Sequence, residues 1–184
     1  MRQALKLAER GRGFTSPNPL VGACLVKNNR LVAQGFHIRF GGPHAEVEAI
    51  RKAGRKAQGA TLYVTLEPCS TYGKTPPCTE AIQESGIRRV IVGAIDPSPR
   101  HRARGISVLK KYGIQVRTGI LRKEVEKQNE AFLKWAQTGT PFVILKMAQS
   151  LDGKIASRRG LSRWISGYEA RRWVHRLRST VDGI

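Results

Sequence analysis

Four side chains suited to metal binding or proton transfer stand at short spacings in the first half of the sequence. His44 and Glu46 are two residues apart, Cys69 follows a proline, and Cys78 comes nine residues after Cys69. One imidazole and two thiolates suit a tetrahedral zinc ion whose fourth position stays open for water. Glu46 would lie beside His44 in the first turn of a predicted helix, where it can reach that water without being a ligand. We therefore predict His44, Cys69 and Cys78 as metal ligands and Glu46 as the catalytic residue.

This set of residues suits a hydrolytic deamination. Zinc lowers the pKa of a water towards about 7, and a neighbouring carboxylate can carry protons from that water to a ring nitrogen and to departing ammonia. A His-x-Glu segment paired with Pro-Cys is typical of zinc deaminases that act on amino-pyrimidine or amino-purine rings. Those enzymes usually continue as Cys-x-x-Cys, whereas eight residues separate the two cysteines here. Two unrelated cysteines with a surface histidine, and a structural zinc without chemistry, remain alternatives.

Four segments complete a resemblance to one family: Ser-Pro-Asn-Pro-Leu-Val-Gly at 16–22, Gly-Pro-His-Ala-Glu-Val at 42–47, Thr-Leu-Glu-Pro-Cys-Ser at 65–70 and Gly-Lys-Thr-Pro-Pro-Cys at 73–78. They resemble the deaminase domain of riboflavin biosynthesis, in which a diaminohydroxyphosphoribosylaminopyrimidine deaminase is fused to a 5-amino-6-(5-phosphoribosylamino)uracil reductase. The resemblance covers the whole chain. It implies hydrolytic deamination of 2,5-diamino-6-ribosylamino-4(3H)-pyrimidinone 5′-phosphate, with Zn²⁺ as the cofactor and Glu46 as the proton shuttle.

The resemblance also implies three substrate-binding residues. The Asn18 amide could read donor and acceptor groups on the pyrimidinone edge, and Lys74 could contact the 5′-phosphate as a point charge. His37 follows a predicted strand at a position where the family tends to have a histidine near the substrate. A turn asparagine, an exposed loop lysine and a hydrogen-bonded loop histidine are the structural alternatives for the three.

Two departures from the family pattern concern the substrate side. The family often has histidine after Ser70, where this sequence has Thr71, so the family's polar contact from that histidine to the ribose phosphate is not expected here. The Asp-Pro-Ser-Pro segment at 96–99 matches the family, but Ala103-Arg104-Gly105 replaces the usual Gly-x-Gly. That replacement puts a Cβ and positive charge where backbone freedom is expected. Neither departure touches the metal chemistry.

The last part of the chain resembles the opening of the reductase domain, a dihydrofolate-reductase-like fold that uses NADPH. The resemblance is carried by residues 146–156 and 162–166. It implies that Ala148 and Trp164 line the cofactor site and that Ser162 and Arg178 lie on the substrate side. Because about 40 residues cannot build the rest of such a pocket, we interpret the four as ancestry. NADPH binding is expected only with the full reductase domain.

The elements that must position the candidate site alternate along the chain. The sequence predicts helices over 1–11, 44–57, 79–85, 106–112 and 122–138, and strands over 20–27, 31–36, 61–66, 90–95 and 114–118. Strands alternating with helices predict an α/β, cytidine-deaminase-like layered fold with a central sheet flanked by helices. Thr-Gly-Thr-Pro at 138–141 predicts a linker between a zinc-dependent deaminase domain, 1–139, and an incomplete reductase-like segment, 140–184. In that segment we expect a strand over 142–148, a helix over 169–179 and the start of another strand at 181–184.

The composition narrows the possible partners. The 184 residues include 33 lysines and arginines against 13 acidic residues, a formal net charge of +20. Such a charge favours anionic partners, although a generally basic solvated surface explains it equally well. We predict a small phosphorylated pyrimidine as the partner. A deaminase acting on a base in RNA or DNA, and a non-catalytic zinc-stabilised nucleic-acid-binding module, are the alternatives, and a homo-oligomer is left open.

The sequence shows no sign of a membrane or secretory protein. No apolar run approaches the ~20 residues of a membrane span, and the N-terminus lacks a signal peptide's apolar stretch, so we expect a cytoplasmic protein. The odd number of cysteines suits a reducing compartment. Cys24 lies in an apolar strand and is expected to be a core residue, and His101 and His175 stand among arginines and are expected to be solvated.

Overall fold

The sheet of this protein is mixed. The computed structural model describes residues 1–98 and 102–184, and within them five strands form one sheet. The strands are β1 (Gly22–Lys27), β2 (Arg30–Phe36), β3 (Thr61–Leu66), β4 (Arg89–Ala94) and β5 (Gln115–Thr118), in the spatial order β2-β1-β3-β4-β5. β1 is antiparallel to β2 and β3, whereas β3, β4 and β5 run parallel.

Helices cover both faces of the sheet, which confirms the predicted layered α/β fold. They are α1 (Arg2–Ala8), α2 (Ala45–Ala53), α3 (Cys78–Glu84), α4 (Arg104–Lys111), α5 (Arg122–Gln128), α6 (Glu130–Thr138) and α7 (Tyr168–Arg178). One-turn 3-10 helices extend α1 over Glu9–Gly11 and α2 over Gly54–Ala57.

Two apolar layers hold the helices on the sheet. The larger layer joins one sheet face to α2, α3 and α4 and consists of small and branched side chains, among them Ala23, Leu25, Ala49, Leu62, Val64, Ile82, Val90, Val92 and Leu109. On the opposite face, α1 packs Ala4 and Leu7 against Cys24, and α5 packs Val125 against Leu66 and Ala94. Cys24 is therefore a core residue, as the sequence predicts.

Local sequence explains the turn between β1 and β2 and the start of α2. Asn28 and Asn29 both have positive φ, 51° and 58°, the backbone of a tight hairpin turn that asparagine tolerates. α2 begins immediately after His44 and carries Glu46 and Glu48 in its first turn, where negative charge favours the positive end of the helix dipole. His44 thus lies at the N-terminus of α2.

The helix predicted over 122–138 is wrong as one element, because Asn129 interrupts it between α5 and α6. The buried Asn129 side chain accepts a hydrogen bond from the Leu20 N–H at 2.8 Å and donates one to the Leu20 carbonyl at 3.0 Å. These two bonds tie the end of α5 to the loop before β1. The contact that ends α5 at Asn129 thus comes from a residue more than a hundred positions away in the sequence.

The strands predicted over 142–148 and 181–184 are also wrong. The chain divides into two compact units, Met1–Phe142 and Val143–Ile184, and within the described residues the second contains one helix, α7, and turns. A strand needs a partner for its backbone groups. In the second unit those groups close short turns instead, such as the Ser150 N–H to the Lys154 carbonyl at 2.9 Å.

The expectations for Pro99 and His101 concern residues outside the described ranges. His175 lies on α7 and is exposed, as the sequence predicts. Among the described residues, none of the helices combines the length and apolar character needed to cross a bilayer.

Candidate active site

Three of the predicted residues meet where the parallel strands end. Cys69 lies just beyond the end of β3, His44 directly precedes α2, and Cys78 is the first residue of α3. The ligand atoms of the three residues all lie within 4.8 Å of one another. The carboxyl ends of parallel strands are a frequent location of binding sites in open α/β sheets.

The donor atoms have the spacing of a tetrahedral zinc site. His44 Nδ1 lies 3.2 Å from Cys78 Sγ and 3.5 Å from Cys69 Sγ. Zinc–nitrogen and zinc–sulfur bonds of ordinary length, set at a tetrahedral angle, separate two such ligands by about 3.5 Å. The Cys78 N–H also donates to Cys69 Sγ at 3.3 Å, which favours a thiolate at Cys69. The chemistry and spacing of these donors fit a zinc ion with one position left open.

The protonation of the three residues is linked. A hydrogen bond from the Cys78 thiol lowers the pKa of Cys69, and the same hydrogen bond, together with burial, raises the pKa of Cys78. A hydrogen bond to Cys69 raises the pKa of His44. Because zinc requires thiolates and a neutral imidazole, zinc binding here must release protons.

Glu46 is a buried carboxyl group at the edge of this cluster. It lies in the first turn of α2, is 3% exposed and forms part of the wall of a cavity together with His44 and Cys69. Burial raises the pKa of Glu46 to about 7, against the opposing effect of the nearby His44. A carboxyl group in such a place can both accept and donate a proton near neutral pH.

The cavity above the cluster gathers the residues that the sequence assigns to substrate binding. Its volume is about 390 Å³, which suits a small-molecule ligand. Asn18, His37, Thr71 and Lys74 all line it. Residues from three separate loops therefore share one concave surface with Glu46.

His37 orients the Asn18 side chain, because its two ring nitrogens each make one hydrogen bond. The buried His37 ring contacts the Pro43 carbonyl through Nδ1 at 3.0 Å and the Asn18 amide nitrogen through Nε2 at 3.1 Å. A carbonyl only accepts, so Nδ1 carries the proton, and burial lowers the pKa of His37, which favours the neutral ring. Nε2 therefore accepts from Asn18 Nδ2, and the Asn18 oxygen is directed away from His37.

Lys74 lies at the rim of the cavity. Its side chain is exposed, and its ammonium lies 4.0 Å from the centre of the Phe40 ring. A cation–π contact of this kind orients the lysine without neutralising its charge. Lys74 therefore brings a positive charge to the cavity mouth. Thr71, the residue that replaces the family's histidine, also lines the cavity.

The second departure from the family pattern has a visible backbone consequence. Ala103, which precedes α4, has φ of 59° and ψ of 5°, the left-handed region that glycine adopts without cost. A Cβ there costs about 1–2 kcal/mol. The expectation that this position needs backbone freedom is therefore confirmed.

The four residues matched to a reductase all fall in the second unit. Trp164, Ser162 and Arg178 are exposed there, and Ala148 is half-buried. The Trp164 ring packs under the Arg171 guanidinium, whose central carbon lies 4.3 Å from the ring centre. Their assignment to a cofactor and a substrate site stays a prediction.

Sequence reasoning assigned no role to two buried polar residues near the cavity. Glu67 is a buried acid in the cavity wall, and Asn129 fixes the loop that carries Pro19 and Leu20. Glu67 lies within the motif at 65–70, so an acid immediately before Pro-Cys was an available signal. For Asn129 the sequence offers no local signal, since its partner is distant.

The sequence matches two family descriptions. Residues 1–94 match the cytidine and deoxycytidylate deaminase zinc-binding region, and residues 141–184 match the RibD C-terminal domain. The chain is 53% identical over 171 residues to the riboflavin biosynthesis protein RibD of Bacillus amyloliquefaciens, with 93% of this chain and 46% of that protein covered. The RibD of Escherichia coli K12 is 50% identical over 184 residues, which cover all of this chain and 50% of that protein. The chain thus spans about half the length of the curated relatives it matches.

Solved structures agree with the sequence comparisons. Acinetobacter baumannii RibD superposes with a TM-score of 0.93 at 49% identity and covers 97% of this chain and 50% of its own. A deaminase/reductase from Thermotoga maritima, described as a diaminohydroxyphosphoribosylaminopyrimidine deaminase/5-amino-6-(5-phosphoribosylamino)uracil reductase, gives 0.92 at 49% identity and covers 98% and 52% of the two chains. The cytidine-deaminase-like fold that the sequence predicts is therefore confirmed.

Proposed function

Because the chain belongs to the cytidine and deoxycytidylate deaminase family, and within it to the riboflavin-biosynthesis deaminase/reductase proteins, we propose that it deaminates 2,5-diamino-6-ribosylamino-4(3H)-pyrimidinone 5′-phosphate. The observation that carries the proposal is the zinc-like spacing of His44, Cys69 and Cys78. Two of these three residues, His44 and Cys69, share the wall of one cavity with the buried Glu46. The similarity to riboflavin biosynthesis proteins supports the proposed pathway. The geometry of the cluster supports the proposed reaction class, a hydrolytic deamination.

The reaction replaces an amino group by an oxygen. Water forms a bond to C2 of the pyrimidinone and the bond from C2 to the amino nitrogen breaks. Ammonia leaves with the two amino hydrogens and one proton from the water, and the second proton of the water stays on the ring nitrogen. His44, Cys69 and Cys78 would hold the zinc ion, and the bound zinc would supply this chemistry by lowering the pKa of the water. Glu46 would accept one proton of the water and pass it to the ring nitrogen, and would then carry the second proton from the new hydroxyl group on C2 to the leaving amine, since its buried carboxyl group faces the same cavity.

The remaining wall residues have the chemistry to hold the substrate. The Asn18 oxygen, oriented by the hydrogen bond to His37, can accept from the N–H groups of a diaminopyrimidinone edge. Lys74 carries the positive charge that a 5′-phosphate requires. Since the three cysteines are free thiols and zinc ligation needs thiolates, a reducing compartment such as the cytoplasm suits the proposal.

The two parts of the chain receive separate assignments. We assign residues 1–139 to a zinc-dependent deaminase domain, because the cavity-lining residues run from Asn18 to Phe132. We assign residues 140–184 to the beginning of a reductase domain, because residues 141–184 match the RibD C-terminal domain. NADPH chemistry belongs to the complete reductase domain and is not proposed for these residues by themselves.

A comparison of three substrates tests the proposed specificity. Purified zinc-loaded chain is given the diaminopyrimidinone ribosyl phosphate, cytidine, or an RNA stem-loop that carries an adenosine, and ammonia release is measured for each. The proposal expects turnover of the first and little of the others. Preferred deamination of the RNA would favour the nucleic-acid alternative, and RNA binding without any ammonia release would favour a non-catalytic module.

A further inference from the structure

Glu67 makes an unusual number of backbone hydrogen bonds for one side chain. It lies between the end of β3 and Cys69 and is 6% exposed. One carboxylate oxygen, Oε2, accepts from the Asp96 N–H at 3.1 Å and from the Ala103 N–H at 3.0 Å. The other oxygen, Oε1, accepts from the Ile106 N–H at 3.2 Å. Both oxygens of the buried carboxylate therefore accept hydrogen bonds from backbone N–H groups between Asp96 and Ile106.

These bonds join both ends of a single connection. Asp96 follows β4, and Ala103 precedes α4, so Glu67 binds the connection where it leaves the sheet and where it enters the helix. The Glu67 N–H also donates to the Ala94 carbonyl at 3.0 Å, which extends the pairing of β3 with β4 beyond the strand ends. The main chain of Glu67 thus hydrogen-bonds to the end of β4, and its side chain hydrogen-bonds to the connection that follows β4.

The segment held in this way forms part of the cavity. Asp96 and Glu67 both line it. A Cβ added to Gly105 would lie 1.9 Å from the Pro68 carbonyl oxygen, so the first turn of α4 rests directly on the residue before Cys69. The carboxylate therefore links the position of this wall to the part of the chain that presents Cys69.

We propose that Glu67 is a positioning residue for deamination, which fixes the wall formed by Asp96 relative to the cavity floor at Cys69. The inference rests on the proposed function. Three N–H donors require an acceptor with several lone pairs and no donor of its own, and a carboxylate meets that requirement whereas an amide does not. Glutamine at this position would keep one accepting oxygen and turn an N–H group towards a backbone N–H.

The test separates positioning from general stability. Glu67→Gln is compared with wild type in the zinc-loaded full chain, with ammonia release measured against the concentration of the diaminopyrimidinone ribosyl phosphate. We expect KM to rise about tenfold, while kcat per zinc-loaded subunit stays within about threefold, because the wall moves but Glu46 and the metal ligands do not. Zinc content should be unchanged.

Leu62→Ala is the matched control. Leu62 is fully buried at the opposite end of β3, so its truncation destabilises the fold without touching the wall. Hydrogen exchange provides a second readout: Glu67→Gln should speed exchange of the Asp96, Ala103 and Ile106 amides selectively, and Leu62→Ala should not. An unchanged KM in Glu67→Gln, or equal shifts in both variants, would overturn the proposal.

The two failures can be told apart. Wild-type chain that releases no ammonia contradicts the proposed function itself. In that case the exchange experiment still decides whether Glu67 holds the segment, since it needs no substrate. Unaltered exchange at all three amides in Glu67→Gln overturns the positioning role even if the wild type is active.

Discussion

At the scale of the residue, the three cysteines show how environment divides one side-chain type into two roles. Cys69 accepts hydrogen bonds from the Cys78 N–H and pairs with His44, which favours a thiolate. Cys24 packs with Ala4 and Leu7 on the other side of the sheet, and burial raises the pKa of its thiol. The first environment suits a metal ligand and the second an inert core residue.

Zinc content should follow that division. Cys69→Ser and Cys78→Ser are each expected to lose most of the roughly one zinc per subunit, because an open tetrahedral site depends on every thiolate. Cys24→Ser is the matched control and should retain the metal. Elemental analysis of the three purified variants provides the measurement, and full zinc in both Cys69→Ser and Cys78→Ser would rule out the assigned ligands.

Lys74 should act on charge alone. Lys74→Ala is expected to raise KM for the phosphorylated substrate about tenfold and to change KM for the dephosphorylated analogue less than about twofold, because a lysine contributes a point charge. Lys52→Ala, which removes an exposed lysine that pairs with Glu48 on α2, should change neither value. Parallel losses on both substrates would show that Lys74 has a structural role.

The cluster of His44, Cys69 and Cys78 could be predicted from sequence, because zinc chemistry demands a few residue types in a recognisable order. The hydrogen-bond partners of His37 and Glu67 could not be predicted. His37 contacts Asn18 across 19 positions and Glu67 contacts Ile106 across 39, so their hydrogen bonds depend on the assembled fold. A histidine after a strand and an acid before Pro-Cys are visible in the sequence, but their partners are not.

At the scale of the element, hydrophobic periodicity predicted the sheet and its flanking helices because each has an apolar face. It failed where a distant polar contact decided the backbone, as at Asn129, and where a strand had no partner, as over 142–148. The periodicity across 122–138 is helical on both sides of Asn129. The contact with Leu20 explains why one helix becomes two.

Asn129 should therefore contribute strongly to stability. Asn129→Ala leaves the buried N–H and carbonyl of Leu20 without their partners, and we expect a loss of about 2–3 kcal/mol in the free energy of unfolding. Urea denaturation measures the loss. Gln137→Ala, at an exposed position of α6, is the control. A loss below about 0.5 kcal/mol, the usual effect of a surface substitution, would show that the contact does not hold the element in place.

At the scale of the whole molecule, the candidate site is contained in one of the two units. The cavity is lined by residues between Asn18 and Phe132, and the second unit begins at Val143. The +20 charge is spread through the chain, with eight basic residues and no acidic ones over 98–123. Such a field attracts anions over distances of about 10 Å at ordinary salt, which suits a phosphorylated substrate without selecting it.

Truncation after Gly139 should leave deamination largely intact. The shortened chain keeps every predicted ligand and every cavity-lining residue, so ammonia release is expected within a few-fold of the full chain at equal zinc content. The measurement is a steady-state assay of both proteins, with circular dichroism to establish folding. A truncated chain that is folded and zinc-loaded but inactive would mean that the later residues take part in catalysis.

The most direct test compares wild type with Glu46→Gln in one assay of zinc-loaded protein and the diaminopyrimidinone ribosyl phosphate. Glutamine keeps the shape of the buried side chain but cannot carry a proton, so zinc should stay bound while the rate of ammonia release falls by a factor of about 10² or more. Wild-type turnover together with that loss in Glu46→Gln is the predicted result. A Glu46→Gln enzyme that releases ammonia at the wild-type rate would contradict the account.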